Sequence, residues 1–451
     1  MKKPELPPHS KITPDNAQAV IKFLTANTVE MAELTEIEKN HFYWEDFKYK
    51  VKKLKENPEM LWVIAKMQRQ QTITKIKICE TPGFDFSYKS TSKILKHLHN
   101  FDLNLGGILE GGGTIVPEDE KNKYLISSIM EEAIASSQLE GAVTTREVAK
   151  EMLRTQRKPR NLSERMILNN YLTIKKVIEH KDKKLTKELI LEIHSIISKS
   201  ALNSPLNEGV FRKNNNVKIY DESTSEVFYT PPEYDKIDLL INAVCDFANK
   251  VDEVDFIHQI IKGIILHFLI GYIHPFVDGN GRTARALFYW YMISQGYWLV
   301  EFLALSRIIV KSPAKYARAY LYTEYDDNDL TYFIDYNLRA IDLALKSLKD
   351  YIGRKIKERK NVFDIVKYEN INERQAEILK EFIIDTKKTI TIKEIEIEFG
   401  VVYQTARTDL LGLVELGYLH EKYFGKKLVF FRADGFENKV DLLNKKKLFS
   451  S

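Results

Sequence analysis

The sequence predicts a mainly α-helical protein: a helical N-terminal region, a helical core interrupted by one β-hairpin, and a small C-terminal unit. Three observations predict it. Apolar residues recur at helical spacing through the middle of the chain, as at Leu125, Ile129, Ala133 and Leu139, and again at Ile190, Ile193 and Ile197. Alternation of period two is confined to Val217/Ile219 and Val227/Tyr229 around a polar turn, which reads as a β-hairpin closed by Pro231 and Pro232. The last part then runs through three short helical patterns and two glycine-separated strands.

Residues 1 to 115 read as a mixed, mostly helical region. Its start is extended, because Pro4, Pro7, Pro8 and Pro14 disfavour helix in the residues before them. Near Leu105 the run LGGILEGGGTIVPED is glycine-rich but lacks the Gly-Lys-Ser/Thr ending that sets a lysine on phosphate, so it reads as a flexible connection. Residues 116 to 342 form the dense helical core, with the hairpin inside it. A helix over roughly 329–359 follows, and residues 343–370, which hold the lysine-rich KIKERK, read as a helical linker. In the C-terminal unit, 371–433, helices are expected over Asn372–Phe382, Ile392–Phe399 and Tyr403–Leu416, the last two ended by Gly400 and Gly417. Strands Tyr418–Tyr423 and Leu428–Arg432 flank Gly425, Lys426 and Lys427; helix, helix-turn-helix, hairpin is the order of a winged helix. Residues 434–451 form a tail.

Bulk composition excludes several classes. Of 451 residues 44% are hydrophobic and 29% charged, enough apolar material for sizeable cores. The net charge of +5 falls on 131 charged groups, too mild an imbalance to indicate a nucleic-acid or membrane partner. The longest apolar stretch, Ile260 to Ile273, is broken by Lys262 and His267 and is too short to span a bilayer; it reads as a buried core helix. Cys79 and Cys245 lack metal spacing, and MKKPELPPHS has no apolar run after its lysines. The expected location is therefore cytoplasmic, with no membrane partner.

The segment HPFVDGNGRTAR, His274 to Arg285, concentrates chemistry. Pro275 stops the apolar helix, Asp278-Gly279-Asn280-Gly281 makes a tight turn, and Arg282 begins a new helix. Glycines let successive backbone N–H groups point into one concavity, and a helix N-terminus adds partial positive charge, so the turn is a nest for an anion such as phosphate. Arg282 and Arg285 lie three apart and can clamp further phosphates. Asp278 is a single hard carboxylate suited to Mg²⁺ that shares its other ligands with phosphate. His274 can exchange a proton near neutral pH. Base, metal carboxylate, anion hole and arginine clamp are the parts of a phosphoryl-type transfer site.

This segment resembles the signature of the Fic (filamentation induced by cAMP) family, H-x-F-x-D/E-G-N-G-R-x-x-R, at every specified position. GVFRKNNNVKIY followed by FYTPP is similar to the family's upstream segment and target-aligning flap, so the resemblance covers about 121–342. The resemblance implies protein adenylyltransferase activity: AMP moves from ATP to a Ser, Thr or Tyr hydroxyl of a target protein or of the enzyme itself, and pyrophosphate leaves. It implies His274 as the base, Asp278 as the holder of Mg²⁺, Gly279, Asn280 and Gly281 as the anion hole, and Arg282 and Arg285 on the outer phosphates. Val227, Phe228, Tyr229 and Thr230 would form the flap that aligns a target strand through backbone bonds. Removal of AMP, or transfer of another phosphorus group, is the alternative within the family.

Upstream, Ser136 and Glu140 are four apart and share a helix face, with Gly141 as the helix end. S/T-x-x-x-E-G/N is similar to the inhibitory-helix motif of autoinhibited Fic proteins, here over about 121–141. Glu140 is expected to form a bidentate bridge to Arg285 and so withhold it from the γ-phosphate. A reading of a different class, a DNA-binding regulator, would use Gln404, Arg407 and Thr408 with Lys426 and Lys427. Residues 371–451 carry 14 Lys+Arg against 13 Asp+Glu, a net of +1, which favours binding of a protein target or self-association into a homodimer over DNA.

Overall fold

The computed structural model describes residues 3–8, 14–26, 28–54, 56–106, 121–220, 225–250, 256–369, 371–385, 388–425 and 427–439. The glycine run at 107–113, the hairpin turn at 221–224, Lys426 and most of the expected tail lie outside them. The fold is mainly α, as the helical periodicities require.

Helices α1 (Pro14–Ala26), α2 (Thr28–Glu38), α3 (Trp44–Lys50) and α4 (Pro58–Gln70) gather around Trp44, Phe47 and Trp62, whose rings meet edge to face. Asn57 caps α4 by accepting from the Glu59 N–H at 2.8 Å, with Pro58 at the first helical position, where no N–H is needed. Strands β1 (Ile73–Lys77) and β2 (Asp85–Lys89) pair antiparallel, and α5 (Ser92–Phe101) follows. Phe86 of β2 sets its ring against Phe268 and Tyr272 of the core, so this hairpin belongs to the central hydrophobic cluster.

The core comprises α6 (Lys121–Leu139), α7 (Arg146–Thr155), α8 (Leu162–Glu179) and α9 (Lys187–Ser198), then β3 (Ile219–Tyr220), β4 (Val227–Tyr229), α10 (Ile237–Asn249), α11 (Gln259–Ile273) and α12 (Asn280–Ser294). After them come α13 (Leu305–Ile309), α14 (Pro313–Tyr325) and α15 (Thr331–Glu369). Helix α11 is apolar on every side and buried along nearly its whole length, as its sequence requires of a central helix. No helix among the described residues is long and apolar enough to cross a membrane. The hairpin pairs Ile219 with Tyr229 and Tyr220 with Val227.

Charges weld the N-terminal helices to α14 and α15. Arg69, paired with Glu38 at 2.7 and 3.0 Å, donates to the Tyr332 hydroxyl of α15 at 2.7 Å, Lys66 donates to Asp326 at 2.8 Å, and His41 Nε2 lies 2.7 Å from Asp329, all buried. Buried ions are tolerated only when paired in this way.

The C-terminal unit runs α16 (Glu373–Ile384), β5 (Thr389–Thr391), α17 (Ile392–Phe399), α18 (Tyr403–Glu415), β6 (Leu419–Phe424) and β7 (Lys427–Arg432). The sequence led to two strands; the sheet has three, in the order β5-β7-β6. Helix α17 packs its Ile397 against Met130, Ile134 and Met152 of α6 and α7, so the unit is seated on the core.

Candidate active site

The site forms where α11 ends and α12 begins. His274 ends α11 with left-handed backbone (φ 51°, ψ 57°), while its N–H still donates to Ile270 at 3.0 Å. Such a conformation in a residue with a side chain is strained and must be held from outside. Arg212 holds it. Its Nε donates to the His274 carbonyl at 3.0 Å, its backbone N–H to the Pro275 carbonyl at 2.9 Å, and its Nη2 to the Pro232 carbonyl just after the β-hairpin.

The imidazole of His274 has Nδ1 3.1 Å from the Gly271 carbonyl. A carbonyl only accepts, so Nδ1 carries the proton and Nε2 keeps its lone pair. Burial pulls the His274 pKa below its ordinary value, and the Gly271 bond and the Glu140 charge offset this in part.

The turn is set from the opposite side. Gly279 has φ +86°, a region that suits glycine, and a Cβ there would come within 3.2 Å of His194 Nε2. His194 accepts from the Gly209 N–H at Nδ1 (3.1 Å) and therefore donates through Nε2 to the Asp278 carbonyl (2.9 Å). Its ring stacks on buried Phe276 at 3.6 Å. Desolvation lowers the His194 pKa to about 4, against the smaller effect of the Asp278 bond, and so keeps it neutral. Asn280 turns its amide inward: Oδ1 accepts from the Phe276 N–H and Nδ2 donates to the Phe276 carbonyl, both at 2.9 Å. Its backbone N–H is what remains to offer an anion.

Asp278 lies at the mouth, half exposed. One oxygen accepts from the Gly279 N–H at 2.6 Å and the other from Arg282 at 3.2 Å. Arg282 is 1% exposed, and its Nε and Nη1 have no hydrogen-bond partner among the described residues. Among those residues no group of three or more His, Cys, Asp or Glu could hold a metal.

Arg285 is engaged by the end of α6. Its Nε donates to Ser136 Oγ at 2.9 Å, and its Nη2 to the Ser136 carbonyl at 3.0 Å and to Glu140 Oε1 at 2.9 Å. The expected two-bond bridge to Glu140 is thus a single bond, because Ser136 occupies the other edge of the guanidinium. Burial opposes the Arg285 charge, but Glu140 and its neighbours outweigh it and raise the pKa above the ordinary value. The Glu140 carboxylate lies directly over Gly281, where any Cβ would collide with it. Gly141 completes the turn with φ +90°.

The hairpin lies beside this corner. Tyr229 donates its hydroxyl to the Tyr272 carbonyl at 2.9 Å, and the Phe228 carbonyl accepts from Tyr325 at 2.9 Å. Val227 is exposed, and Thr230 follows the strand.

Sequence reasoning missed His194 and Arg212. The signal for His194 was a polar side chain at 194 next to Ile193 on the buried face of α9. Arg212 had no such signal, because its partners come from three separate segments.

Residues 184–292 match the model of the Fic/DOC family, so the chain carries a Fic/DOC domain there. Curated relatives include the protein adenylyltransferase Fic of Nematostella vectensis, 33% identical over 110 residues, which are 24% of this chain and 22% of that protein. The corresponding protein of Drosophila erecta is 28% identical over 113 residues, 25% of this chain and 21% of that one. The chain thus spans about a fifth of the length of these relatives. Similar solved structures include a Fic family protein from Desulfovibrio desulfuricans G20, with 16% identity, a TM-score of 0.48 and coverage of 77% of this chain and 97% of that one. Fic-1 from C. elegans has 19% identity, a TM-score of 0.47 and coverage of 77% and 90%.

Proposed function

We propose that this chain transfers AMP from ATP to a protein hydroxyl, including its own, and that it rests in a restrained state. The observation that carries this reading is the position of Glu140. Its carboxylate sits over Gly281 at the start of α12, so the protein fills a helix N-terminal anion site with an anion of its own.

In the active state, His274 Nε2 takes the proton of the target hydroxyl, and the Gly271 carbonyl fixes the tautomer that leaves Nε2 free to do so. The target oxygen forms a bond to the α-phosphorus as the bond to pyrophosphate breaks. Backbone N–H groups of Gly279, Asn280 and Gly281 receive the phosphate oxygens. Arg282 supplies the two unpartnered N–H groups, and Arg285, once released, meets the γ-phosphate. Asp278, a half-exposed carboxylate beside the nest, would hold a Mg²⁺, which would supply charge neutralisation for the leaving pyrophosphate. The strand Val227–Tyr229, with Thr230, aligns the target chain by backbone bonds.

With Arg285 held by Ser136 and Glu140, a nucleotide cannot settle its γ-phosphate, and the α-phosphate is presented out of line. Glu140→Gly is expected to raise incorporation of label from α-³²P-ATP by about tenfold or more. Equal labelling of Glu140→Gly and wild type would reject the brake. His274→Ala in the same background is expected to lower labelling by about 100-fold or more; full activity would remove His274 as the base. Removal of AMP is a second reading, in which the Glu140 carboxylate, whose charge acts on His274, positions a water. Mass spectrometry of an AMP-bearing target incubated without ATP separates the two. For the C-terminal unit, Gln404, Arg407 and Thr408 are exposed on α18. The near-neutral charge of this unit supports a protein-binding or self-associating role over DNA, and tight, salt-sensitive binding of duplex DNA would reverse that preference.

A further inference from the structure

Away from the corner, a cleft of about 460 Å³ opens between α6, α13 and α15. Five cationic side chains line it, Arg146, Lys150, Arg307, Lys311 and Arg354, against two carboxylates, Glu131 and Asp350. Glu131 is already committed. Arg146 Nε donates to both its oxygens at 2.8 and 2.9 Å, Lys150 pairs with the same carboxylate, and these bonds overcome burial to hold its pKa below the usual range. Lys311 and Arg354 face no carboxylate partner within salt-bridge distance among the described residues, and both are exposed. Hydroxyl donors stand on two walls, Ser127 and Ser128 on α6 and Ser347 on α15.

We infer that this cleft binds a small molecule carrying two or more phosphate groups. Its volume is that of a small-ligand pocket, whereas duplex nucleic acid would need an extended basic stripe. Guanidinium, ammonium and hydroxyl donors converging in a concavity with a net excess of three cations, five minus two, suit clustered phosphate oxygens. One wall is the helix that ends in Ser136 and Glu140. Glu132, next to Glu131 on α6, accepts from the Ser306 N–H at 2.8 Å and from its hydroxyl, which joins α6 to α13 beside Arg307. A ligand that bridges α6, α13 and α15 favours the conformation in which all three are assembled, and by linkage it stabilises the docked α6. This consequence rests on the proposed brake: the ligand would tighten it.

The test is calorimetric titration of inorganic tripolyphosphate into the full chain, comparing wild type with the double variant Lys311→Glu/Arg354→Glu. The exposed Lys183→Glu, on the α8–α9 loop, controls for general charge. Binding at the α12 corner contributes equally to all three proteins. The cleft component is expected to weaken by about tenfold or more in the double variant and to be unchanged in Lys183→Glu. Unchanged binding in the double variant, or equal weakening in the control, would overturn the assignment. A second arm measures AMP labelling, with tripolyphosphate expected to inhibit wild type more strongly than the Lys311→Glu/Arg354→Glu protein, since competition at the α12 corner is common to both; equal inhibition would separate the cleft from the brake. If no protein transfers AMP at all, the proposed activity fails while the calorimetric result still decides the site.

Discussion

Single residues at the corner are tuned by burial. His194 and His267 are both held neutral, with pKa values of about 4 and about 3, in each case first through desolvation. An unfolded histidine titrates near its ordinary value of about 6.5. Below that pH the unfolded chain binds protons that the folded chain refuses, so stability falls with pH, from about 6.5 down to about 4 for His194 and about 3 for His267. The share of His194 is about 3 kcal/mol. Denaturant midpoints should be flat above pH 7 and decline below 6.5, and the decline should be shallower in His194→Gln; the same slope in both proteins would refute the assignment. His274 shifts in the same direction, which has a kinetic consequence. A base with a lowered pKa stays unprotonated in mild acid, so AMP transfer by Glu140→Gly should persist below pH 6.5 rather than halve there. Gly281 gives a third check. Adding Ala at this position in the Glu140→Gly background puts a methyl in the anion nest, and labelling should drop back to the resting level or lower.

At the scale of elements, Arg212 joins the end of α11 to the hairpin, because one side chain reaches the His274 and Pro232 carbonyls together. Lysine has the charge but not the planar fork, so Arg212→Lys should leave the fold in place while lowering transfer by about tenfold or more, measured by label incorporation in the Glu140→Gly background. Unaltered transfer would show that the hairpin and the corner need no such tie. The contrast between Arg212 and Asp278 shows what a sequence can display. His274 to Arg285 is contiguous, so its turn, its helix start and its charges could be read together, whereas for Ser136/Glu140 the four-residue spacing showed only a shared helix face and the resemblance to the inhibitory-helix motif supplied the role. The family resemblance implied Asn280 for the anion hole, but the direction of its amide depends on the Phe276 backbone folding back on it. Strand β5, Thr389–Thr391, is three residues long, too short for any period to register, and exists because β7 supplies its partner. The expected linker 343–370 is mostly the second half of one 39-residue helix. KIKERK looks like a solvated connection by composition, yet no proline interrupts it and the α-helix runs on.

At the scale of the whole molecule, α6 is where several parts of the fold meet. It packs on α8, ties through Glu132 to Ser306 of α13, reaches Arg285 of α12 at its end, and supports α17 of the C-terminal unit. The last contact is close and specific. Ile397, partly buried, packs against the cluster that holds Met130, Ile134 and Met152, Glu398 pairs with Arg154 of α7, and a Cβ on Gly400 would come within 2.9 Å of the Asn122 Cβ. The C-terminal unit therefore braces the helix that carries Ser136 and Glu140. If the brake depends on α6 remaining docked, loosening this brace should release part of it from a distance. Ile397→Asp removes a partly buried apolar contact, worth less than the roughly 1.5–3 kcal/mol of a fully buried side chain, and sets a carboxylate against an apolar cluster. AMP incorporation should rise in Ile397→Asp without any change at the corner, and hydrogen exchange should quicken in α6 before it does in α11 or α12. The rise should vanish when His274→Ala is added. A faster-exchanging α6 with labelling no higher than wild type would mean that Glu140 holds Arg285 on local bonds alone, and that the C-terminal unit adds stability without control.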